Sequence, residues 1–147
     1  GVLNINESFF EKNSAVTNGG AICSWGGNII IEASRLDGNS SGRFMSSGSG
    51  GAIHCEGDGK LDILKSNFNK NSADGSGGAV YAYKIKVTIS ESEFHRNVSE
   101  DYFEEDAQNQ KDCALSIIGT DNLELNDCTF DNRDVMEEII AGLVGLF

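Results

Sequence analysis

Apolar residues recur along the chain in five short alternating triplets: Leu3-Asn4-Ile5, Ile29-Ile30-Ile31, Leu61-Asp62-Ile63, Val87-Thr88-Ile89 and Leu123-Glu124-Leu125. A period of two marks strands whose alternate residues face a core. At a fixed offset behind each triplet come a small residue, an apolar residue and then asparagine: Ser8, Phe10, Asn13; Ser34, Leu36, Asn39; Ser66, Phe68, Asn71; Ser92, Phe94, Asn97. The fifth copy ends differently, as Cys128, Phe130, Arg133. A second motif lies between the triplets: Gly19-Gly20-Ala21-Ile22, Gly50-Gly51-Ala52-Ile53, Gly77-Gly78-Ala79-Val80 and the degenerate Asp112-Cys113-Ala114-Leu115.

Successive triplets start 26, 32, 26 and 36 residues apart, while the offsets inside each copy stay fixed. The extra residues therefore belong to loops, assigned to Ser40–Ser49 and to the acidic Ser99–Asp112. Repeats of this length built from short strands predict an all-β fold, a right-handed parallel β-helix of about five rungs over residues 1–133. Leu3, Ile29, Leu61, Val87 and Leu123 then form one inward column, Ile5, Ile31, Ile63, Ile89 and Leu125 a second, and the Phe10 to Phe130 series a third. Each fully buried large side chain contributes roughly 1.5–3 kcal/mol, so these columns are the main stabilising term.

Asn13, Asn39, Asn71 and Asn97 fall where an asparagine ladder can run inside a turn, each amide donating to the next rung. The Gly-Gly pairs fit a corner that needs positive φ or leaves no room for a Cβ. Residues 134–147 carry the one helical pattern, with Val135, Met136, Ile139, Ile140, Leu143 and Val144 at helical spacing and Asp134/Glu137 resembling a capping box. A short C-terminal helix is expected, plugging the last rung or docking to another chain.

Charge and composition narrow the partners. A net charge of −12 excludes nucleic acid, which demands clustered Lys and Arg. The longest apolar run, Ile139 to Phe147, is too short to cross a bilayer. The chain starts at Gly1 without a signal-peptide pattern, and is read as a processed product or an excised segment.

Together the FxxN motifs (Phe10-Glu11-Lys12-Asn13, Phe68-Asn69-Lys70-Asn71, Phe94-His95-Arg96-Asn97) and the GGA(I/V) motifs resemble the repeats of chlamydial polymorphic membrane proteins. Those are surface β-helices of the pectin-lyase-like superfamily. The resemblance covers about residues 3–133 and implies an extracellular or cell-surface location and a structural or adhesive role, with a host or matrix surface as partner. The same superfamily includes polysaccharide lyases and hydrolases, so the alternative reading is a carbohydrate-active enzyme. Its hydrolases use clustered aspartates with a Gly-His-Gly segment, and its lyases an Asp-bound calcium with a basic residue. Neither constellation can be assembled here, His54 and His95 read as surface or turn histidines, and five rungs rise only about 24 Å, so the chain is expected to be non-enzymatic.

No cofactor or metal is expected. Cys23, Cys55, Cys113 and Cys128 lack zinc-ligand spacing and predict disulfides, with Cys23–Cys55 and Cys113–Cys128 preferred among three connectivities. The acidic loop, Glu100, Asp101, Glu104, Glu105, Asp106 and Asp112, reads as solvated rather than calcium-binding. Of three sequons, those at Asn39 and Asn97 lie in the ladder, which leaves Asn6 as the glycosylation candidate. Finally, Val2 and Leu3 enter the first rung with nothing to cover them. Self-association through Val2, Leu3, Ile139, Ile140, Leu143 and Val144 into a head-to-tail filament, or continuation by more β-helix of the same chain, is therefore expected.

Overall fold

The computed structural model describes residues 1–42, 47–100, 110–111 and 114–130. Over this range the chain winds as a parallel β-helix, each coil laying its strands directly on those of the coil before. The first sheet stacks Val2–Asn6, Ile22–Glu32 and Ile53–Leu64, then the split pairs Val80–Tyr83/Lys86–Ser90 and Leu115–Ile118/Leu123–Asn126. The second stacks Phe9–Glu11, Arg35–Asp37, Asn67–Asn69, Glu93–His95 and Thr129–Phe130. A third, short sheet was not legible as such in the sequence: Ser14–Ala15, Ser40–Ser41, Ser72–Ala73 and Val98–Glu100, with Gln110–Lys111 pairing antiparallel to the last. The segments assigned to loops at Ser40 and Ser99 thus begin as strand, because their backbone groups pair with the coil beneath.

The expected columns form in the expected register. Leu3 pairs with Ile29, Ile29 with Leu61, Leu61 with Val87 and Val87 with Leu123. The aromatic column closes into stacked rings, with Phe68–Phe94 centroids 4.8 Å apart and Phe94–Phe130 centroids 4.9 Å apart.

Corners are made by single left-handed residues. Glu7, Ala33, Lys65, Glu91 and Asp127 turn the chain out of the first sheet at φ 46 to 53°, and Lys12, Gly38, Lys70 and Arg96 turn it out of the second at φ 52 to 66°. A non-glycine residue pays about 1–2 kcal/mol for this conformation, so something must compensate. The compensation is the next residue in sequence. After the first corner runs a serine ladder, in which the backbone N–H groups of Ser8, Ser34 and Ser66 donate to the hydroxyls of Ser34, Ser66 and Ser92 at 3.0, 3.1 and 3.1 Å. Each hydroxyl turns back to the carbonyl two residues earlier, and Cys128 takes the fifth place with its thiol 3.5 Å from the Asn126 carbonyl. After the second corner runs the asparagine ladder, Asn13 to Asn39 to Asn71 to Asn97, with amide-to-amide bonds of 2.9 to 3.0 Å.

Both roles offered for the Gly-Gly pairs are realised, one by each glycine. Gly19, Gly50 and Gly77 sit at φ 63 to 71°, whereas a Cβ on Gly20, Gly51 or Gly78 would collide with the backbone of the neighbouring coil.

The Cys23–Cys55 bridge is not formed. Register pairs Cys23 with His54 and Ser24 with Cys55, so the two thiols leave the sheet on opposite faces, Cys55 fully buried and Cys23 exposed. Cys23, Cys55 and Cys128 are free thiols. Cys113, most of the acidic loop and the expected helix over 134–147, with Ile139, Ile140, Leu143 and Val144, lie outside the described residues.

Candidate functional site

The two longest strands do not run straight. Between Trp25 and Gly27 the pairing slips by one residue, because Trp25 faces Glu56 but Gly27 faces Gly59. The extra residue is a β-bulge, and Gly26, Gly27, Gly57 and Gly59 supply the positive φ it needs, 89 to 148°. The next coils bend at the same place through Lys84, at φ 57°, and Gly119, at φ 68°.

Side chains before the bend alternate strictly, with Ile53, Cys55, Val80 and Ala82 buried inside and the residues between them outside. Two outward columns result. One runs Cys23, His54, Tyr81, Ser116, and the other Trp25, Glu56, Tyr83, Ile118. In the crook of the bend the second column opens an exposed cleft of about 350 Å³, lined by Trp25, Gly26, Glu56, Gly57, Asp58, Tyr83 and Lys84. Trp25 stands 70% exposed, an unusual state for so large an apolar ring. The Lys84 ammonium lies over the Tyr83 ring, 5.0 Å from its centroid.

Beneath this rim His54 is the largest departure from expectation. It is neither a surface nor a turn residue but a strand residue only 3% exposed, with its ring stacked on Tyr81 at 4.9 Å and 9° and tilted against Trp25 at 5.6 Å. Its Nε2 stands 3.5 Å from a Glu56 oxygen, an ion-pair distance longer than a good hydrogen bond. Burial holds the His54 pKa below the ordinary histidine value, against the opposing pull of the Glu56 carboxylate and of the Ser49 backbone. His95, in contrast, lies at the partly exposed outer face of Glu93–His95, 3.2 Å from Glu93.

Chemically the cleft offers an open π face, two carboxylates and one ammonium. Cys23, beside His54, is not an activated nucleophile, since burial and the Glu56 charge both push its thiol up. Among the described residues, no three His, Cys, Asp or Glu side chains gather where a metal ion could be held. Asn6 projects to solvent as expected of a modification candidate, while Asn39 and Asn97 are fully buried in the ladder. The sequence did carry a signal for the cleft. The only tryptophan is followed by Gly26-Gly27, and Gly57-Asp58-Gly59 occupies the equivalent place one coil on.

Three segments, residues 7–24, 34–56 and 65–83, match the Chlamydia polymorphic membrane protein (Chlamydia_PMP) repeat. Three segments of the chain are thus similar to the polymorphic membrane protein repeat. Each match contains one Ser-Phe/Leu-Asn series and one Gly-Gly motif now seen to build the corners, so the repeat's signature residues are those of the ladders and the tight coil contacts. Proteins named for this repeat are surface or outer-membrane proteins, which fits a cell-surface structural module. No curated protein and no solved structure matches the chain significantly.

Proposed function

We propose that this chain is a non-enzymatic, surface-displayed β-helix module with an adhesive role, and that its first coil is covered by another coil, from the same chain or a second copy. The observation that carries the stacking is a break in one inward column. Leu3 is 46% exposed, whereas Ile29, Leu61 and Val87, its counterparts in the next three coils, are 0 to 1% exposed. The edge strand Val2–Asn6 also offers a row of backbone groups on its open side, a template for pairing. Net charge −12 opposes lateral clumping but leaves axial stacking available.

The support for a structural role is how the repeated polar residues are spent. Ser34, Ser66, Ser92, Asn39, Asn71 and Asn97 are buried and committed to ladder bonds. Sedimentation of the chain over a wide concentration range tests the stacking. Concentration-dependent, salt-tolerant growth that Leu3→Glu abolishes is expected, and a monomer at all concentrations would overturn coverage by a second copy. Binding of the displayed chain to cells, against cells presenting an unrelated β-helix, tests adhesion separately.

A further inference from the structure

The Trp25 cleft opens on the outer wall across three coils, although its Trp25 side borders the stacking edge, because Ile22–Trp25 pairs only with Ile53–Glu56. We infer that it is a docking site for an arginine side chain presented by a partner protein, the guanidinium lying on the Trp25 indole and hydrogen-bonded to Glu56 and Asp58. This deepens the adhesive reading by naming the chemistry the wall would recognise.

Four observations converge on a cation. The indole is 70% exposed at the cleft mouth, so the ring quadrupole is open to a positive group. Glu56 and Asp58, one on each side of Gly57, bring two carboxylates to the same cleft. Lys84 shows the preference already at work within the chain, because its ammonium sits over the Tyr83 ring. Finally, the net charge of −12 steers cations toward this surface and anions away.

Arginine fits better than lysine. Its planar guanidinium can stack on an indole and present several N–H donors in one plane to neighbouring carboxylates, whereas an ammonium is a point charge. The receiving groups are carried by paired strands and a bulge rather than a free loop, so little ordering is needed on binding. A neutral saccharide, which also stacks on exposed indoles, is the competing guest.

Because Trp25 is the only tryptophan, its emission reports on the cleft alone. The whole chain is titrated with acetyl-tetra-arginine amide at an ionic strength of about 0.15 M, where long-range charge effects are screened beyond about 8 Å. A saturable emission change is expected. In the double variant Glu56→Gln/Asp58→Asn binding should weaken at least about tenfold, while Glu11→Gln/Glu124→Gln, an equal charge change on other strands, should leave it within about twofold. Calorimetry with Trp25→Ala should show a loss like that of the cleft double variant, with Trp25→Phe recovering part of it. Absence of saturation, equal weakening in both double variants, or saturation by maltotetraose but not by the arginine peptide would each overturn the proposal. Stacking and cell binding are read in separate assays, so loss of cleft binding leaves the surface-module reading standing, and loss of cell binding leaves the cleft chemistry standing.

Discussion

Asn39 is joined to Asn71 twice across one coil step: its backbone N–H and its side-chain amide both donate to the same Asn71 oxygen, each at 3.0 Å. Asn71 repeats the arrangement with Asn97 and spends its second amide proton on the Leu36 carbonyl at 2.9 Å. Every donor and acceptor of this fully buried carboxamide is thereby used. Asn71→Ala leaves two donors of Asn39, one carbonyl and part of the Asn97 acceptor capacity unmet at once. At about 1–3 kcal/mol for each buried polar group left unsatisfied, we expect a loss of at least about 3 kcal/mol in urea unfolding. Asn13→Ala, at the exposed head of the ladder, should cost less than half as much.

Two glycines in corners should respond in opposite ways to gaining a side chain. A Cβ on Gly51 would run into the Gly78 carbonyl and the Ser72 backbone, neither of which can move without breaking a coil contact. Gly51→Ala should therefore destabilise by more than about 3 kcal/mol. Gly38 has φ 66°, but its nearest neighbour would be the flexible Lys12 Cγ at an ordinary 3.5 Å, and its counterparts in other coils are Lys12, Lys70 and Arg96. Gly38→Asn should leave thermal stability unchanged or raise it by up to about 1 kcal/mol, by narrowing the unfolded ensemble.

His54 sets a pH dependence of definite sign. Its folded-state pKa lies below the ordinary 6.5 because its ring is buried, so between the two values the unfolded chain binds a proton that the folded chain refuses. The stabilisation is complete above pH 6.5 and declines as the pH falls from there toward the folded value. Denaturation midpoints measured at intervals from pH 8 to pH 5 should show that decline. His54→Phe, which keeps a ring against Tyr81, should remove it.

The thiols should react in a fixed order. Cys55 is fully buried and its pKa is pushed up to about 12, so it should be inert in the folded protein. Cys23, exposed on the outer wall, should react first with a thiol reagent, Cys128 more slowly, and Cys55 only in denaturant. An unreduced sample in which Cys23 and Cys55 fail to titrate under denaturing conditions would contradict the opposite facing of the two.

The inner wall of this molecule was open to sequence reading because its information repeats. Leu3, Ile29 and Leu61 can be aligned by offset alone, and neighbouring coils impose the same choice on each. The asparagine column was legible for the same reason. Its serine counterpart was visible only as a small residue, since serine is common and nothing in one coil shows that Ser34 accepts from the Ser8 backbone. The thiols were misplaced by one residue of parity, which alternation from Ile22 and Ile53 already fixes: Cys23 follows an inward residue directly, Cys55 at one remove. The burial of His54 had no local signal at all, for its cover comes from Trp25 and Tyr81 on the flanking coils. The cleft was signalled only by the glycines after Trp25 and around Asp58, because it arises from a register slip between two strands, a property that belongs to neither alone.

Position for position, the inside of the wall is written in a narrow alphabet and the outside in a free one. Inward at one site the coils read Ile22, Ile53, Val80, Leu115, while one residue later the outward series reads Cys23, His54, Tyr81, Ser116. The same backbone can therefore carry an exterior that changes from coil to coil without any adjustment of the interior. Length is equally free, since the step from Leu3 to Ile29 takes 26 residues and that from Ile29 to Leu61 takes 32, yet both land in the same register. Such a scaffold separates an interior held to one pattern from an outer face that varies from coil to coil, part of which, as at Trp25 and Tyr83, lies open to other molecules.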